Sequence, residues 1–358
     1  MQPSSIVFLH DKDERPLSGR ACRERLARFL EVALLPVLLK LGHLIINNNS
    51  VLAQRISYTR MARIFIGISA WADQGLLKSG FYPPEAKTSA DRLKFYSSKF
   101  SLAEIDSTYH SFATARNIAA WLDNTPNGFV FNFKAFSLFT LHPTPYQSLP
   151  RNFRDTYGDR ITAKASIYAH HLPDEALDDL WQGFERTART FSAAGKLGAL
   201  LFQFPPWFHP SPENYEHIAS CRKRLPGLPL AVEFRTGSWL NEEHREKTLS
   251  LLKEHGMTLV CVDEPQGLKS SVPPVVEVTA PLAIVRFHGR NKENWERTGV
   301  LPDRKFDYLY QSDELLEWVP RIEGMAAQAE TLQVIFKNKF ADYPVRNALE
   351  MKGLLGIP

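Results

Sequence analysis

Cysteine is scarce in this chain. Cys22, Cys221 and Cys261 are the only three in 358 residues, widely spaced and odd in number. No CxxC pair occurs, so neither a zinc ribbon nor a disulfide framework is indicated, and a reducing cytoplasm is the expected compartment. Cys261 lies inside an apolar run, where a small buried thiol is expected. A long uninterrupted hydrophobic run is missing too. The most apolar stretch, Leu26 to Ile46, contains Arg28, Glu31, Pro36, Lys40 and His43, whereas a membrane span needs about 20 predominantly apolar residues. No membrane association is expected, and the acidic start (Asp11, Asp13, Glu14) argues against a secretory or mitochondrial leader. An excess of one charge sign is also absent. There are 43 Lys and Arg against 39 Asp and Glu, a net charge of +4. That mild basicity does not by itself indicate nucleic acid and suits a small anionic substrate equally well. The chain has no Walker loop, no GxGxxG, no GxSxG and no HExxH, which removes the most specific signatures of nucleotide, hydrolase and zinc-protease chemistry. Fixed-period repeats and low-complexity tracts are lacking as well.

What the chain does have is a series of eight short apolar runs. They are IFIGIS (from Ile64), SLAEID (from Ser101), FVFNFK (from Phe129), LGALLFQF (from Leu197), LAVEF (from Leu230), MTLVCVD (from Met257), LAIVRFHGR (from Leu282) and LQVIFKN (from Leu332). Stretches long enough for a helix separate most of them, which predicts a TIM (β/α)8 barrel of the α/β class. A barrel takes roughly 250 residues, so one domain over 61–358 with an N-terminal extension is expected. Residues 1–60 are read as that extension, either a misassigned start with Met61 as the true first residue or a disordered tail. The longest insertion is expected after the third strand, between Phe136 and Lys196. Its second half, with Leu177, Leu180, Trp181, Phe184 and Phe191 at helical spacing, reads as a core-facing helix from Asp174 to Gly195.

In a TIM barrel the carboxyl ends of the strands face the active site. Those ends carry Asp106, Lys134, Gln203, Glu233, Arg235, Asp263, Arg286, His288, Arg290 and Asn338. Glu233 and Arg235 alternate along one strand and share a face. The arginine would keep the carboxylate ionised, so Glu233 is the candidate general base. Arg286, His288 and Arg290 also alternate, with Gly289 allowing close approach of a ligand to the backbone. Two arginines flanking a histidine suit a phosphate or carboxylate, and the cations would lower the histidine's pKa. Lys134 is a candidate to stabilise developing negative charge or, if deprotonated by burial, to form a Schiff base. Tyr109 could stack on a sugar or base, and Gln203 could hydrogen-bond a hydroxyl. Structural ion pairing and packing explain each of these residues equally simply.

The motifs occur in an order that resembles the YecE-like family, also called domain of unknown function 72. They are Gly67-Ile-Ser-Ala-Trp71, Gly80-Phe-Tyr-Pro83, Glu104-Ile-Asp-Ser-Thr-Tyr109, Trp121 with Thr125-Pro126, and Phe131-Asn-Phe-Lys134 with Thr140 and His142. Phe202-Gln-Phe-Pro-Pro206, Val232-Glu-Phe-Arg235 with Ser238-Trp239, Arg286-Phe-His-Gly-Arg290 and Asn347-Ala348 continue the series. The resemblance spans roughly 62–355 and implies a TIM-barrel-like fold, with a suggested relationship to sugar isomerases and no established activity. His142 enters the candidate site through this resemblance, since a lone loop histidine would not. The last strand departs from the pattern: the family tends to carry Phe-Asn-Asn there, and this chain has Phe336-Lys-Asn338.

The expectation is therefore an enzyme working by proton transfer or hydrolysis on a small polar anion such as a sugar phosphate. Glu233, Lys134 and His288 are the catalytic candidates. Asp106, Tyr109, His142, Gln203, Arg235, Asp263, Arg286, Arg290 and Asn338 are the binding candidates. A nucleic-acid-binding barrel and a non-catalytic metabolite-binding scaffold are the alternatives. The cofactor is unknown. Glu104, Asp106, Glu233, Asp263, His142 and His288 could supply ligands to a divalent metal, but the Lys and Arg at the same strand ends oppose a cation, so no metal is assigned.

Overall fold

All eight apolar runs form strands. In the computed structural model, which describes residues 62–162 and 165–357, they are β1 (Arg63–Ser69), β2 (Leu102–Ile105), β3 (Val130–Lys134), β4 (Leu197–Gln203), β5 (Leu230–Glu233), β6 (Thr258–Asp263), β7 (Leu282–Phe287) and β8 (Thr331–Phe336). The reading of residues 1–60 as an extension lies outside the described residues. The strands pair in parallel, in sequence order, and β1 closes onto β8 to complete the barrel. Burial explains their composition. Every residue of β2, β5 and β6 is buried, because one face packs inside the barrel and the other against helices.

The helices between strands carry the expected start and stop signals. Thr88 and Asp91 form a reciprocal capping box on helix Ser89–Ser97, Thr114 caps Ala115–Asp123, and Ser211 caps Pro212–Arg224. Two helices precede the last strand, Ser312–Leu316 and Val319–Ala326, with Pro320 in the first turn of the second. The insertion after β3 contains helix Arg151–Tyr157 and a two-residue antiparallel ladder, Thr144–Pro145 with Ser166–Ile167. Helix Asp174–Ala193 follows. Leu180, Trp181, Phe184 and Phe191 are buried as the spacing predicts, and Trp181 stacks on Phe139 with centroids 3.8 Å apart. Cys261 is a buried free thiol. No helix among the described residues is long and apolar enough to cross a membrane.

Strand register positions the site. Partnered residues of parallel strands face the same way. Gln203 pairs with Glu233, Val262 with Arg286, Asp263 with Phe287, and Phe287 with Phe336. Contacts between strands that are not neighbours identify the inner face. Asn132 of β3 donates to Gln333 of β8 at 2.6 Å, and Arg286 of β7 reaches Glu104 of β2 at 2.5 Å. Glu104, Lys134, Gln203, Glu233 and Arg286 therefore point into the barrel. Asp263, Phe287 and Phe336 point outward.

Candidate active site at the barrel mouth

Arg286 forms the centre of the inner cluster. It is fully buried, and its two terminal nitrogens bind different carboxylates, one on Glu233 and one on Glu104. Burial alone would weaken its charge, but Glu104 and Glu233 raise its pKa further above the ordinary arginine value. Glu233 also accepts from Gln203 Nε2 at 2.5 Å and lies 3.1 Å from His288 Nε2 and 3.5 Å from Arg235. Burial would raise the Glu233 pKa. Arg286, His288 and Arg235 overcome that and hold it well below the usual carboxylate range. His288 is pushed down to about 3, chiefly by burial, with Arg235 and Arg286 adding to the shift and Glu233 opposing it. It is thus a neutral imidazole at physiological pH, and its Nδ1 is buried with no partner among the described residues.

Above this layer Arg235 lies over the Trp295 ring at 4.9 Å and reaches Glu264 at 3.3 Å. Glu264 is buried, accepts from the Val272 amide at 2.8 Å, and is pushed up to about 7 by burial. Across the mouth, Asp106 is ion-paired with Lys339. Burial would raise the Asp106 pKa, but Lys337, Lys339 and Lys134 hold it well below its ordinary value. Glu104 moves the opposite way. Burial raises it, and the adjoining Asp106 carboxylate raises it further against the pull of Arg286. Glu104 Oε2 and Asp106 Oδ1 are buried oxygens with no hydrogen-bond partner among the described residues. A proton on Glu104 satisfies both, giving a carboxyl donating to a carboxylate.

Lys134 is lowered by burial and by Arg286, against the pull of Asp106, and its ammonium sits 4.3 Å over the Tyr109 ring. Tyr109 in turn meets the His142 ring edge-on at 5.2 Å. His142 Nδ1 lies 2.9 Å from the Thr140 hydroxyl, and burial and Lys134 push its pKa down to about 4. A cavity of about 380 Å³ adjoins Glu104 and Asp106, walled by Trp71, Leu93, Ala120 and Trp121. Ala70 on its rim has a left-handed backbone, φ 71°, a strained state that clusters at functional sites.

The structure thus brings together Asp106, Tyr109, Lys134, His142, Gln203, Glu233, Arg235, Arg286 and His288. It places Asp263, Arg290 and Asn338 elsewhere. Asp263 accepts from Arg290, from Tyr310 at 2.7 Å and from Trp318 at 2.7 Å on the outer face. Asn338 donates to Tyr308 O at 2.8 Å and Asn347 at 2.9 Å, tying down the chain before helix Ser312–Leu316. The space beside Gly289 is filled by Tyr308, whose Cβ would lie 2.8 Å from an added Cβ. Glu264, Lys337 and Lys339 also belong to the mouth and are absent from the expected set, as is Glu104, which the sequence offers only as a possible metal ligand. Glu264 and Lys337 each adjoin an expected residue, one step out of phase with it. Among the described residues no group of three or more His, Cys, Asp and Glu side chains is arranged to hold a metal ion.

These features coincide with a family. The pattern described as Protein of unknown function DUF72 matches residues 65–358. The chain belongs to this family. It is 30% identical over 298 residues to UPF0759 protein YunF of Bacillus subtilis, covering 82% of this chain and 95% of that one. A crystal structure of a DUF72 family protein from Enterococcus faecalis superposes with a TM-score of 0.68 at 25% identity, over 82% of this chain and 96% of that chain. One from Thermotoga maritima gives 0.64 at 28% identity, over 82% and 99%. The names of these relatives state no activity, so the chemistry is argued from the mouth itself.

Proposed function

We propose that this DUF72 protein is an enzyme that moves protons on a small, hydroxyl-bearing anion, with a sugar phosphate as the best-fitting class. The Glu104–Asp106 pair carries this reading. Two buried carboxyl groups side by side, one raised and the other held low, can share one proton and pass it to or from a ligand. The charge balance supports an anionic substrate. The mouth holds five basic side chains, Lys134, Arg235, Arg286, Lys337 and Lys339, against the carboxyls of Glu104, Asp106, Glu233 and Glu264. With Glu104 protonated, an excess of positive charge remains even when Lys337 is neutral.

The roles follow from how completely each group is engaged. Arg286 is saturated by two glutamates, so Glu233 serves to hold Arg286, His288 and Gln203 in place. Lys134, Arg235 and Lys339 provide the attraction for the anion. His288 offers an unengaged Nδ1 for a substrate hydroxyl, and Tyr109 and His142 border the entrance. A cytoplasmic location fits the same reading, since Cys221 and Cys261 are unpaired and buried.

Thermal-shift measurements on the full chain test the reading, because ligand binding to the folded state raises Tm. Sugar phosphates should raise Tm and the corresponding free sugars should do so much less. Lys134→Met should weaken phosphate-ester binding by about tenfold, or roughly 1.4 kcal/mol. Equal shifts for esters and free sugars would remove the anion site. Shifts with single-stranded oligonucleotides alone would replace the small-molecule reading with a nucleic-acid one.

A further inference from the structure

Lys337 is a buried amine of the mouth that the reading above leaves without a task. It follows β8 directly and is 6% exposed. Its backbone amide donates to Phe287 O at 2.8 Å, which fixes the start of the side chain on the inner face. Its ammonium has no hydrogen-bond or ion-pair partner among the described residues, and its nearest ring is Phe306, 5.9 Å away. The groups around it are three cations, Lys134, Lys339 and Arg286, and the carboxyls of Asp106 and Glu104. Asp106 is already ion-paired with Lys339. A buried amine among three cations, whose nearest carboxylate is engaged elsewhere, loses its proton easily. Burial first, and then those cations, drive its pKa well below the ordinary lysine value. The neutral amine is a nucleophile.

We propose that Lys337 forms an imine with the carbonyl carbon of an aldehyde or ketone anion held in this mouth. The proposal rests on the anion-binding reading and names its substrate class. The step balances with the groups present. The amine lone pair adds to the carbonyl carbon, and one amine proton passes to the carbonyl oxygen by way of the Glu104–Asp106 pair, giving a neutral carbinolamine. Glu104 then gives its proton to the departing hydroxyl, which leaves as water. A protonated C=N bond and a Glu104 carboxylate remain. The imine withdraws electrons from the adjacent carbon, so a proton there can be removed by the carboxylate just formed. Lys134 is less suited to this step, because its ammonium already rests on the Tyr109 ring.

Borohydride trapping tests the proposal. The full chain is incubated at pH 7 with glyceraldehyde 3-phosphate or pyruvate, with and without sodium borohydride, and mapped by peptide mass spectrometry. Hydride addition to the imine carbon leaves a stable secondary amine of defined mass. The Lys337 peptide of the unaltered protein should be modified at least tenfold more than any other lysine peptide. Modification should be lost in Lys337→Asn, the residue that the resembling pattern carries there, and kept in Lys253→Ala, an exposed lysine away from the mouth. Mapping the unaltered chain gives an answer even if a variant fails to fold. Modification spread evenly over surface lysines, or none at Lys337, overturns the imine. If the same phosphates still raise Tm, the anion site survives that result. If they do not, both readings fall.

Discussion

Glu233 illustrates how residue type and residue role part company. From sequence it is a base activated by a neighbouring arginine. In the fold, Arg286, Gln203, His288 and Arg235 all compete for its two oxygens. A carboxylate held well below its ordinary pKa by so many partners is a poor proton acceptor but a strong organiser. Glu233→Gln keeps the shape and removes the charge, leaving Arg286 with Glu104 alone in a dry interior. Removing one partner of a buried ion pair costs about 3–5 kcal/mol. A loss of that size in denaturant unfolding is expected, whereas Lys134→Met, which breaks no ion pair, should lower stability by less than about 1 kcal/mol and act on ligand binding instead. A Glu233→Gln protein of unchanged stability would mean that the carboxylate is not the organiser of this layer.

At the scale of the element, the eight strands and their order were legible because buried parallel strands are short, apolar and separated by capped helices. Most of the mouth was legible from the strand-end rule, including Arg286 of β7 and His288 just beyond its end. The failures are failures of phase. Asp263 and Asn338 were chosen, while Glu264 and Lys337, one step along, face inward. Sequence shows that a strand alternates, but only pairing with its neighbours decides which set is inside, as Asp263↔Phe287 does here. Arg290 fails for another reason. Gly289 has φ +90°, which turns the chain out of the strand, so alternation cannot be carried from His288 to Arg290. The turn delivers Arg290 to Asp263, with contacts of 3.0 and 2.7 Å. Gly289→Ala would impose a left-handed strain of about 1–3 kcal/mol and press its Cβ on Tyr308. The expected outcome is lower stability together with loss of protection from hydrogen exchange at the end of β7 and in 306–310. Unchanged exchange there would show that the turn is not needed to hold this corner.

For the molecule as a whole, the inward charges set a pH profile. His288 and His142 fall from an ordinary 6.5 to about 3 and about 4. The folded protein keeps both neutral below pH 6.5, while the unfolded chain binds their protons. Their contribution to stability is complete above pH 6.5 and is lost progressively as pH falls towards the folded values. His110 and His217 shift in the same direction and add to it. Glu264 works the other way. Its pKa rises from an ordinary 4.5 to about 7, so its contribution is complete below pH 4.5 and is lost as pH rises towards 7. Each group is worth about 1.4 kcal/mol per pH unit between its two values. His288 and His142 against Glu264 leave a net uptake of one proton on unfolding between pH 4.5 and 6.5, which the raised Glu104 opposes and the lowered Lys337 and Lys134 reinforce. Stability should therefore fall with acidification by about 1.4 kcal/mol per pH unit or somewhat more in that window. Below pH 4.5 the decline should steepen, as Glu233 and Asp106, both held low by cations, begin to be protonated on unfolding. Two substitutions separate the contributions. His288→Gln should flatten the slope by up to about 1.4 kcal/mol per pH unit, and Glu264→Gln should steepen it by a similar amount. Urea unfolding of the three proteins at intervals from pH 4.5 to 7 measures both changes. If the two variants move the slope in the same direction, the mouth does not hold a neutral imidazole opposite a protonated carboxyl, and the charge assignment on which its chemistry depends would have to be reversed.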